Sequence, residues 1–593
     1  VRLVEESAKR MAPNCMNLPQ LTLNDYNQHF ADRHLLHGVV AKWARERLEA
    51  IALLSAETGR AVTWSEFDGF TTALACEWLR LGYKKGDHLV TLLPMSVDHV
   101  LLEYSLFKIG VIVVPLDLRL PAAEVIRVVE MLRPRGFVGL GVYGPLDFRE
   151  MGRAVAAKCP PGKLSSIEHF FMVSSAEPTE GFRSYAKLAE AASRTAANTP
   201  DAGAAELAAA APAIVEEDGA LIIFTTGSTG SPKAALLTHR NITSQNMCLC
   251  AAFFGGDSGT RSLVNLPASH VGAQTEILMS TLFGGGTAVL LEVFDAGRSL
   301  RAIEQHRVEL LGQIPVMLNL EWMLKDYDRY DLRSLKFAAY GGNAVSCPFV
   351  DKLATMAPVV GTGLGLTECA GFCTYVSVDA SEREKILDGL GHDMPVYACT
   401  IRQPMRDDGL AGDALPDGEI GHICFRGPQT FAGYVNDPAA TARTISRDGY
   451  LYTGDLGYKS AGGVHLSGRA KWVIKSFGYQ VFPGDVEAHI ADLAGKVMSC
   501  VVVGVAHEVA GEGVVALVEK RPGVELAVPE LERHTRSLAT YMRPRHWIII
   551  EPGQMPLNRL GKPDHQRAQQ MANEEIAKLR ASGEWDSRHI TGG

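Results

Sequence analysis

The chain has 593 residues, 47% of them apolar and 21% charged, with a formal net charge of −9 at pH 7. This length exceeds what one hydrophobic core supports, so we expect two or more domains, and the composition excludes a disordered or fibrous protein. The acidic balance and the absence of a concentrated Lys/Arg block argue against a nucleic-acid partner.

The cysteines and the apolar runs indicate the compartment. Eleven cysteines are scattered along the chain, and the closest pairs, Cys248 with Cys250 and Cys369 with Cys373, lack the usual zinc-site spacing. Scattered thiols are typical of a reducing cytoplasm, so we expect a cytoplasmic protein. Residues 1–13 mix charged with apolar side chains, and no apolar run reaches bilayer length. We therefore expect neither a signal peptide there nor an integral membrane segment.

Residues 63–142 alternate between strand and helix patterns. The capping box Thr63-Trp-Ser-Glu66 predicts the start of a helix that Gly82 ends. Further strands are predicted at 89–93, 111–114 and 137–142, and helices at 99–109 (capped by Gly110) and 121–132. Such alternation favours a mainly parallel sheet covered by helices. The alanine-rich residues 200–214 are interpreted as a surface connector or short helix.

The pattern changes after residue 470. Short strands are predicted at 499–505, 514–519 and 547–550, with helical segments between and after them. We therefore predict an α/β protein with a large ligand-binding domain over residues 1–470 and a smaller α+β domain over residues 471–593.

A loop of small residues follows a predicted strand at 221–224. It comprises Thr225, Thr226, Gly227, Ser228, Thr229, Gly230, Ser231, Pro232 and Lys233. Backbone N–H groups, hydroxyls and a lysine suit phosphate oxygens. The P-loop of NTPases needs Gly immediately before its Lys, so Pro232 excludes that class. A flexible turn with a surface lysine is the alternative.

Four further blocks follow this loop in order. They are Gly363-Leu-Gly-Leu-Thr-Glu368, Tyr452-Thr-Gly-Asp455, Gly468-Arg-Ala-Lys471 with Lys475, Gly478 and Pro483, and the Pro-Leu-Asn-Arg-Leu-Gly-Lys run over 556–562. Together with the loop they resemble the adenylate-forming superfamily, which includes acyl-CoA synthetases, luciferases and peptide-synthetase adenylation domains. The resemblance covers about residues 50–570.

The resemblance implies an activity and a set of ligands. A carboxylic acid and ATP would give an acyl-adenylate and pyrophosphate, and the acyl group would pass to the thiol of coenzyme A. ATP, Mg²⁺ and coenzyme A are the implied cofactor and substrates, alongside a small-molecule acid. The small domain is implied to be mobile and to rotate between the two steps, and the protein to be a monomer or homodimer.

The resemblance also assigns roles to individual residues. Lys562 is implied to hold the acid carboxylate and the α-phosphate, Glu368 to bind Mg²⁺, and Thr367 to contact the α-phosphate. Asp455 and Arg469 are implied to bind the ribose. Taken singly, Glu368 is equally typical of an acid at a helix N-terminus, Asp455 of an Asx turn, and Lys562 of an exposed loop.

Other positions complete the implied site. The ATP contacts are Thr225, Thr226, Gly227, Ser228, Thr229, Gly230, Lys233, Gly341, Gly342 and Leu364. Leu364 departs from the family, since an aromatic ring usually stacks on adenine there, and Ala234 replaces a usual glycine.

The acyl-transfer step has its own implied residues. His270 resembles the gate beside the acyl carboxylate, with a buried core histidine as the alternative. Lys475 and Gly478 belong to the implied hinge and coenzyme A region. Trp472 stands where the hinge residue is usually Asp or Lys.

Three functions stay open from the sequence. An acyl-CoA ligase is favoured over a ligase that passes the acyl group to a carrier-protein thiol or an amine. A non-catalytic nucleotide-binding protein is the third possibility, since fold alone does not prove activity. The acid is expected to be an apolar aromatic, alicyclic or medium-chain one, in a pocket built from 313–318, 340–345 and 369–372.

Overall fold

The computed structural model describes residues 21–143, 146–158, 167–174, 178, 180–198, 200–225, 232–254, 256–342, 345–493, 495–557 and 563–586. The chain divides into two compact units. The first is Val1–Cys399 with Phe425–Leu451, and the second is Thr400–Cys424 with Tyr452–Gly593. A functional boundary at residue 470 stays a prediction.

The first unit contains a nine-stranded sheet. Its order is Ala61–Thr63, Ile51–Ser55, Thr287–Leu290, Arg261–Val264, Leu310–Gln313, Phe337–Tyr340, Val359–Thr362, Thr374–Asp379 and His392–Asp393. The six strands from Ile51–Ser55 to Val359–Thr362 run parallel, and the remaining pairings are antiparallel. A core that includes Leu263, Leu311 and Val360 packs against it.

The first unit also contains an eight-stranded sheet. Its order is Gly433–Tyr434, Lys233–Thr238, Gly219–Thr225, Ile112–Pro115, His88–Leu92, Gly136–Leu140, His169–Val173 and Arg183–Ser184. Six of these strands are parallel, and an antiparallel edge begins at Lys233–Thr238. The predicted strand and helix order is therefore confirmed, with boundaries shifted by one to two residues.

Helices connect and cover these strands. The α-helices are Leu23–His29, Leu36–Glu46, Trp64–Arg80, Val97–Phe107, Ala122–Leu132, Arg149–Lys158, Tyr185–Asn198, Pro200–Ala210, His239–Leu249, Ser280–Phe283, Ala296–His306, Pro315–Trp322, Cys347–Leu353 and Pro438–Thr444. Shorter 3₁₀ segments lie at Ala31–Arg33, Tyr327–Arg329, Thr367–Cys369 and Ala380–Leu387, and π-helical ones at Cys250–Phe254 and Gly272–Met279.

Local signals in the sequence explain several helix ends. Both halves of the Thr63–Glu66 capping box are formed, and the helix that begins at Trp64 ends at Arg80, followed by Gly82 with a φ of +84°. The alanine-rich stretch forms the helix Pro200–Ala210, as one of the two interpretations expected.

The second unit is α+β. It contains most of a four-stranded sheet, whose strands are Ala398–Arg402, Gly421–Arg426, Leu451–Ser460 and Gly463–Arg469. It also contains a five-stranded sheet of Tyr479–Val481, Ile474–Ser476, Gly511–Lys520, Val497–His507 and His546–Ile550. Its helical segments are Ala470–Trp472, Pro483–Ala491, Val528–His534, Thr535–Ser537, Thr540–Met542 and His565–Ala581. Apolar clusters cover both faces of the larger sheet. The three predicted C-terminal strands are confirmed.

The structure also addresses the expected lack of a membrane segment. Across the described ranges, no helix has both the length and the apolar character that crossing a bilayer requires.

Candidate active site

The glycine-rich loop joins two antiparallel strands. Thr225 ends the strand Gly219–Thr225, Lys233 begins the strand Lys233–Thr238, and the two residues are direct partners in the ladder. The predicted position of the loop after a buried strand is therefore confirmed. Five of its predicted ATP contacts lie outside the described residues, namely Thr226, Gly227, Ser228, Thr229 and Gly230.

Tyr434 connects the loop lysine with the acidic block. It lies on the neighbouring strand, opposite Ala235. The Lys233 Nζ atom is 4.8 Å from the centre of the Tyr434 ring, a cation–π distance. The Tyr434 hydroxyl donates a hydrogen bond of 2.6 Å to Glu368 Oε1. One buried side chain thus brings together two motifs that are more than a hundred residues apart in the sequence.

The backbone around Glu368 is held on both sides. Thr367–Cys369 forms a 3₁₀ turn, closed by Ala370 in the left-handed region with a φ of +57°. The Ala370 N–H donates to the Thr367 carbonyl at 3.0 Å, and the Phe431 N–H donates to the Glu368 carbonyl at 3.0 Å. Glu368 therefore is not an acid capping a long helix, and its carboxylate is oriented by Tyr434.

The electrostatics of this contact suit a metal-bound nucleotide. Burial and the charge of Glu368 raise the pKa of Tyr434, so the phenol keeps its proton and acts as donor. A carboxylate has further lone pairs beyond the one that Tyr434 occupies. Among the described residues, no group of three or more His, Cys, Asp or Glu side chains forms a metal cluster. Mg²⁺ commonly binds through one carboxylate plus substrate phosphates, and Glu368 fits that arrangement.

Replacing Tyr434 with phenylalanine is expected to raise the Mg²⁺ concentration needed for half-maximal activity by roughly 10-fold or more, because a hydrogen bond to a charged group contributes ~1.5–3 kcal/mol. The melting temperature should change little, since the ring stays in place. Pyrophosphate release measured against a Mg²⁺ series tests this, with Tyr330→Phe as a matched control. An unchanged Mg²⁺ requirement would show that Tyr434 does not orient Glu368.

His270 lies two residues before the π-helical segment Gly272–Met279. Its Nδ1 accepts a hydrogen bond of 3.0 Å from the Gly272 N–H, which leaves the proton of the neutral ring on Nε2. A Cβ on Gly272 would lie only 3.0 Å from His270 Nδ1, so glycine leaves room beside the ring. His270 is half-buried, which disfavours the alternative of a fully enclosed core histidine. Its role as a gate stays a prediction.

Two of the three predicted pocket segments meet in the fold. Gly341 follows the strand Phe337–Tyr340, and a Cβ on it would lie 3.2 Å from Phe372 Cζ. Phe372 belongs to a short hairpin of Gly365–Leu366 with Gly371–Phe372. Segments 340–342 and 369–372 are therefore neighbours, while residues 343 and 344 lie outside the described residues.

The third pocket segment begins in the core instead. Gln313 is 3% exposed, and its amide donates a 2.7 Å hydrogen bond to Glu321 Oε1. Met317 and Leu318 are also buried. Gln313 therefore takes part in a buried polar contact with Glu321, and a pocket role for residues 313–318 stays a prediction.

The two remaining predicted ATP contacts of the first unit are Gly342 and Leu364, and the backbone conformation is defined at both positions. Gly342 has a φ of +94°, which a side chain would disfavour. The Leu364 N–H donates to Thr374 Oγ1 at 2.8 Å, and its carbonyl accepts from the Cys373 N–H at 2.8 Å. The backbone of the block is thus fixed although the side chain at 364 is aliphatic.

In the second unit, Asp455 and Arg469 form an ion pair. They are direct partners in the hairpin of Leu451–Ser460 with Gly463–Arg469. Arg469 Nε lies 2.8 Å from Asp455 Oδ1, and the carboxylate is buried while the guanidinium side chain is half exposed. Asp455 therefore lies within a strand rather than in an Asx turn. The structure brings the two predicted ribose ligands together.

The implied hinge residues lie on the turn and strand that follow. The Trp472 ring stacks on the His565 ring at 5.4 Å, and Lys471 Nζ is 4.2 Å from the Trp472 ring centre. The Lys475 N–H donates to Glu512 Oε2 at 2.6 Å. Gly478 has a φ of +81° in a tight turn, so the backbone requires glycine there. Lys562 lies outside the described residues.

The comparison with protein families agrees with this geometry. Residues 40–435 match the family model described as AMP-binding enzyme, and residues 485–562 match the AMP-binding enzyme C-terminal domain. The chain belongs to the AMP-binding enzyme family. The predicted superfamily and fold class are confirmed.

Individual relatives of this AMP-binding enzyme share much of its length. The 4-coumarate–CoA ligase-like 6 of Oryza sativa subsp. japonica is 30% identical over 501 residues, covering 80% of the chain and 76% of the relative. The putative acyl–CoA ligase YdaB of Bacillus subtilis (strain 168) is 27% identical over 498 residues, covering 82% and 90%.

A solved structure shares the fold. The amide bond synthetase McbA from Marinactinospora thermotolerans has a TM-score of 0.74 and 24% identity, covering 91% of this chain and 100% of that one.

Sequence reasoning missed one side chain of this region. Tyr434 carries no motif signal, because its contacts arise from pairing with a distant strand.

Proposed function

We infer that this AMP-binding enzyme is an AMP-forming acyl-CoA ligase. It converts a carboxylic acid and ATP into an acyl-adenylate and pyrophosphate, and then transfers the acyl group to coenzyme A. The contact of Tyr434 with both Lys233 and Glu368 supports this proposal, because it joins the cation proposed to bind phosphate and the carboxylate proposed to bind Mg²⁺ in one place.

In the first step, a carboxylate oxygen attacks the α-phosphorus while the bond to pyrophosphate breaks. Both reactants are anions, so catalysis depends on positive charge at the new bond. Lys233 would stabilise the phosphates and Lys562 would hold the carboxylate against the α-phosphate, with Thr367 as a further phosphate contact. Mg²⁺, held by Glu368, would neutralise phosphate charge when bound.

The nucleotide would also be held through its ribose. The buried Asp455 carboxylate can accept both ribose hydroxyls, and the ion pair with Arg469 fixes its orientation. Gly341, Gly342 and Leu364 would lie beside the nucleotide, where the two glycines present no side chain.

In the second step, the thiol of coenzyme A attacks the acyl carbon and AMP leaves. His270 would control access beside that carbon, and Gly478 and Lys475 would lie near the incoming thiol. Transfer to coenzyme A is supported by relatives named as CoA ligases. Transfer to an amine or carrier-protein thiol is the alternative, and the amide bond synthetase supports it only through the shared fold.

Other features of this proposal rest on the sequence. They are the division at residue 470, rotation of the small domain, a cytoplasmic location, a monomeric or homodimeric state, and an aromatic, alicyclic or medium-chain acid.

A two-stage assay tests the function. The purified enzyme is incubated with labelled pyrophosphate, ATP, Mg²⁺ and a panel of acids, and coenzyme A is then added. We expect acid-dependent label exchange into ATP, followed by a thioester. Failure to exchange label with any acid of the panel would refute the adenylating activity, and exchange without a thioester would favour the amine or carrier acceptor.

Replacing Trp472 with aspartate is expected to change the rate of thioester formation about 5- to 10-fold while pyrophosphate release stays within about 2-fold. The substitution removes the stack on His565, and aromatic pairs contribute ~0.5–1.5 kcal/mol. Single-turnover measurements of each step test this, with His565→Ala removing the same stack from the other side. Equal effects on both steps would contradict a hinge role.

A further inference from the structure

A threonine hydroxyl connects two segments of the candidate active site. Thr275 lies in the π-helical segment Gly272–Met279, and its Oγ1 donates a hydrogen bond of 2.5 Å to the Ala370 carbonyl. Both residues are fully buried. Because Ala370 closes the 3₁₀ turn Thr367–Cys369, this contact joins the π-helical segment to the turn that presents Glu368.

The contact fixes a residue in a conformation that its side chain disfavours. Ala370 has a φ of +57°, in the left-handed region that residues other than glycine seldom adopt. Its N–H donates to the Thr367 carbonyl at 3.0 Å, and the Thr275 hydroxyl holds its own carbonyl. Such conformations persist where the surrounding structure determines them, and they cluster at functional sites. Removing the hydroxyl would take a donor from a buried carbonyl and allow the peptide between Ala370 and Gly371 to rotate.

The backbone of Thr275 is held as well. Its carbonyl accepts hydrogen bonds from Asn246 Nδ2 at 2.7 Å and from Ser280 Oγ at 3.1 Å, and both of these side chains are buried. Asn246 belongs to the helix His239–Leu249, so the π-helical segment is anchored to a neighbouring helix at the same residue that contacts Ala370. π-helical turns occur frequently at functional sites.

Close packing brings the two segments within reach of each other. A Cβ on Gly371 would lie 2.5 Å from Glu276 Cγ, and one on Gly365 would lie 3.1 Å from Glu276 Oε1. Gly371 also has a φ of +125°, which a side chain would disfavour. The backbone of the hairpin therefore packs directly against the side chain that follows Thr275, which places the Thr275 hydroxyl beside the Ala370 carbonyl.

A local helix contact does not by itself explain this threonine. A buried threonine in a helix commonly donates to the carbonyl four residues earlier, and Thr275 Oγ1 lies 3.0 Å from the Val271 carbonyl. A hydroxyl has one proton, and the Ala370 carbonyl is the nearer acceptor. Thr281, on the adjoining helix, makes the local contact, with the Ile277 carbonyl at 2.6 Å. Thr281 is therefore a matched control for the local contact.

We propose that Thr275 is a positioning residue, which holds the turn Thr367–Cys369 so that Glu368 faces the metal-bound nucleotide. This inference rests on the proposed ligase function. Tyr434 orients the Glu368 carboxylate through its hydroxyl, and Thr275 fixes the backbone that carries this carboxylate. The Thr275 side chain is fully buried, so it acts through Glu368 rather than by touching a substrate.

Binding of ATP with and without magnesium tests this role. In titration calorimetry, Thr275→Val is expected to weaken Mg²⁺·ATP binding about 10-fold, the effect of one lost hydrogen bond, while binding of ATP in excess EDTA changes by less than about 2-fold. Valine has nearly the shape of threonine, so the packing volume is similar. Thr275→Ser keeps the hydroxyl and should bind Mg²⁺·ATP within about 3-fold of wild type. Thr281→Val is the control and should leave both affinities unchanged.

A double-mutant cycle separates positioning from a general loss of stability. Thr275→Val and Tyr434→Phe act on the same carboxylate, so their combined effect on Mg²⁺·ATP affinity should be smaller than the product of the single effects. Thr281→Val combined with Tyr434→Phe should bind as Tyr434→Phe alone does. Melting temperatures are measured alongside, and if Thr275→Val does not fold, Thr275→Cys takes its place, because a thiol is a weak donor.

The outcomes distinguish this role from the ligase function. Equal weakening of ATP binding with and without Mg²⁺, failure of serine to restore the affinity, or a combined effect equal to the product of the single ones would refute the positioning role and leave the ligase function standing. Pyrophosphate exchange that fails with every acid refutes the ligase function, whereas the calorimetric titration needs no acid and still measures the effect of Thr275.

Discussion

Replacing Lys562 with alanine is expected to slow acyl-adenylate formation by about 10²–10³-fold, the loss typical of one removed charge-stabilising group at a reacting centre. The carboxylate and the α-phosphate repel each other, and an ammonium between them offsets this repulsion in the transition state. A compact ammonium can face two oxygens at once, so Lys562→Arg should restore little of the activity.

The two reaction steps should respond differently to the alanine substitution. Pyrophosphate exchange should be nearly abolished, whereas thioester formation from supplied acyl-adenylate and coenzyme A should stay within about 5-fold of wild type, since that step needs no contact with pyrophosphate. Lys578→Ala is the control, because Lys578 is an exposed lysine of the same unit paired with Glu575. Undiminished exchange in the alanine variant would contradict the proposed role.

Replacing Glu103 with glutamine is expected to make the enzyme's stability less sensitive to a rise in pH between about 4.5 and 8. Glu103 is fully buried, accepts a 2.7 Å hydrogen bond from Gln274 Nε2, and lies 3.3 Å from His99 Nε2. Burial raises the pKa of Glu103 to about 8, partly opposed by Gln274, and lowers the pKa of His99 to about 4. The two side chains are therefore neutral together near pH 6.

The direction follows from proton linkage. The ordinary pKa of a glutamate is 4.5, so between that value and about 8 the folded state holds a proton that the unfolded state has lost. Raising the pH through this window lowers the free energy of unfolding, by ~1.4 kcal/mol for each pH unit at most. Glutamine has no such proton, so the variant lacks this contribution while still accepting from Gln274.

Urea unfolding at pH 5.5, 7 and 9 measures the effect. Between pH 5.5 and 9 wild type should lose more stability than Glu103→Gln, by at most ~3.5 kcal/mol, because the ~1.4 kcal/mol per unit applies only up to a pH of about 8. Glu130→Gln, at an exposed position, should follow wild type. Parallel pH profiles for wild type and Glu103→Gln would show that Glu103 is already ionised in the folded protein at neutral pH.

Local sequence patterns determined the elements of this protein. The Thr63–Glu66 capping box, the glycines after helices and the apolar runs of the parallel strands act over a few residues, so each could be recognised by itself. The ordered blocks likewise indicated the family, because the loop, the acidic block and the hairpin each contain their characteristic residues within a short segment.

Only the tertiary structure decided which side chains meet. Tyr434 reaches Lys233 through pairing of edge strands and Glu368 through its hydroxyl, and no spacing in the sequence encodes either contact. The buried hydrogen bond from the Gln313 amide to Glu321 Oε1 is a second contact that the sequence did not indicate. Helix and strand periodicity and helix capping involve residues that are close in the sequence, so the sequence alone reveals them. Contacts between distant segments depend instead on how whole sheets and helices pack.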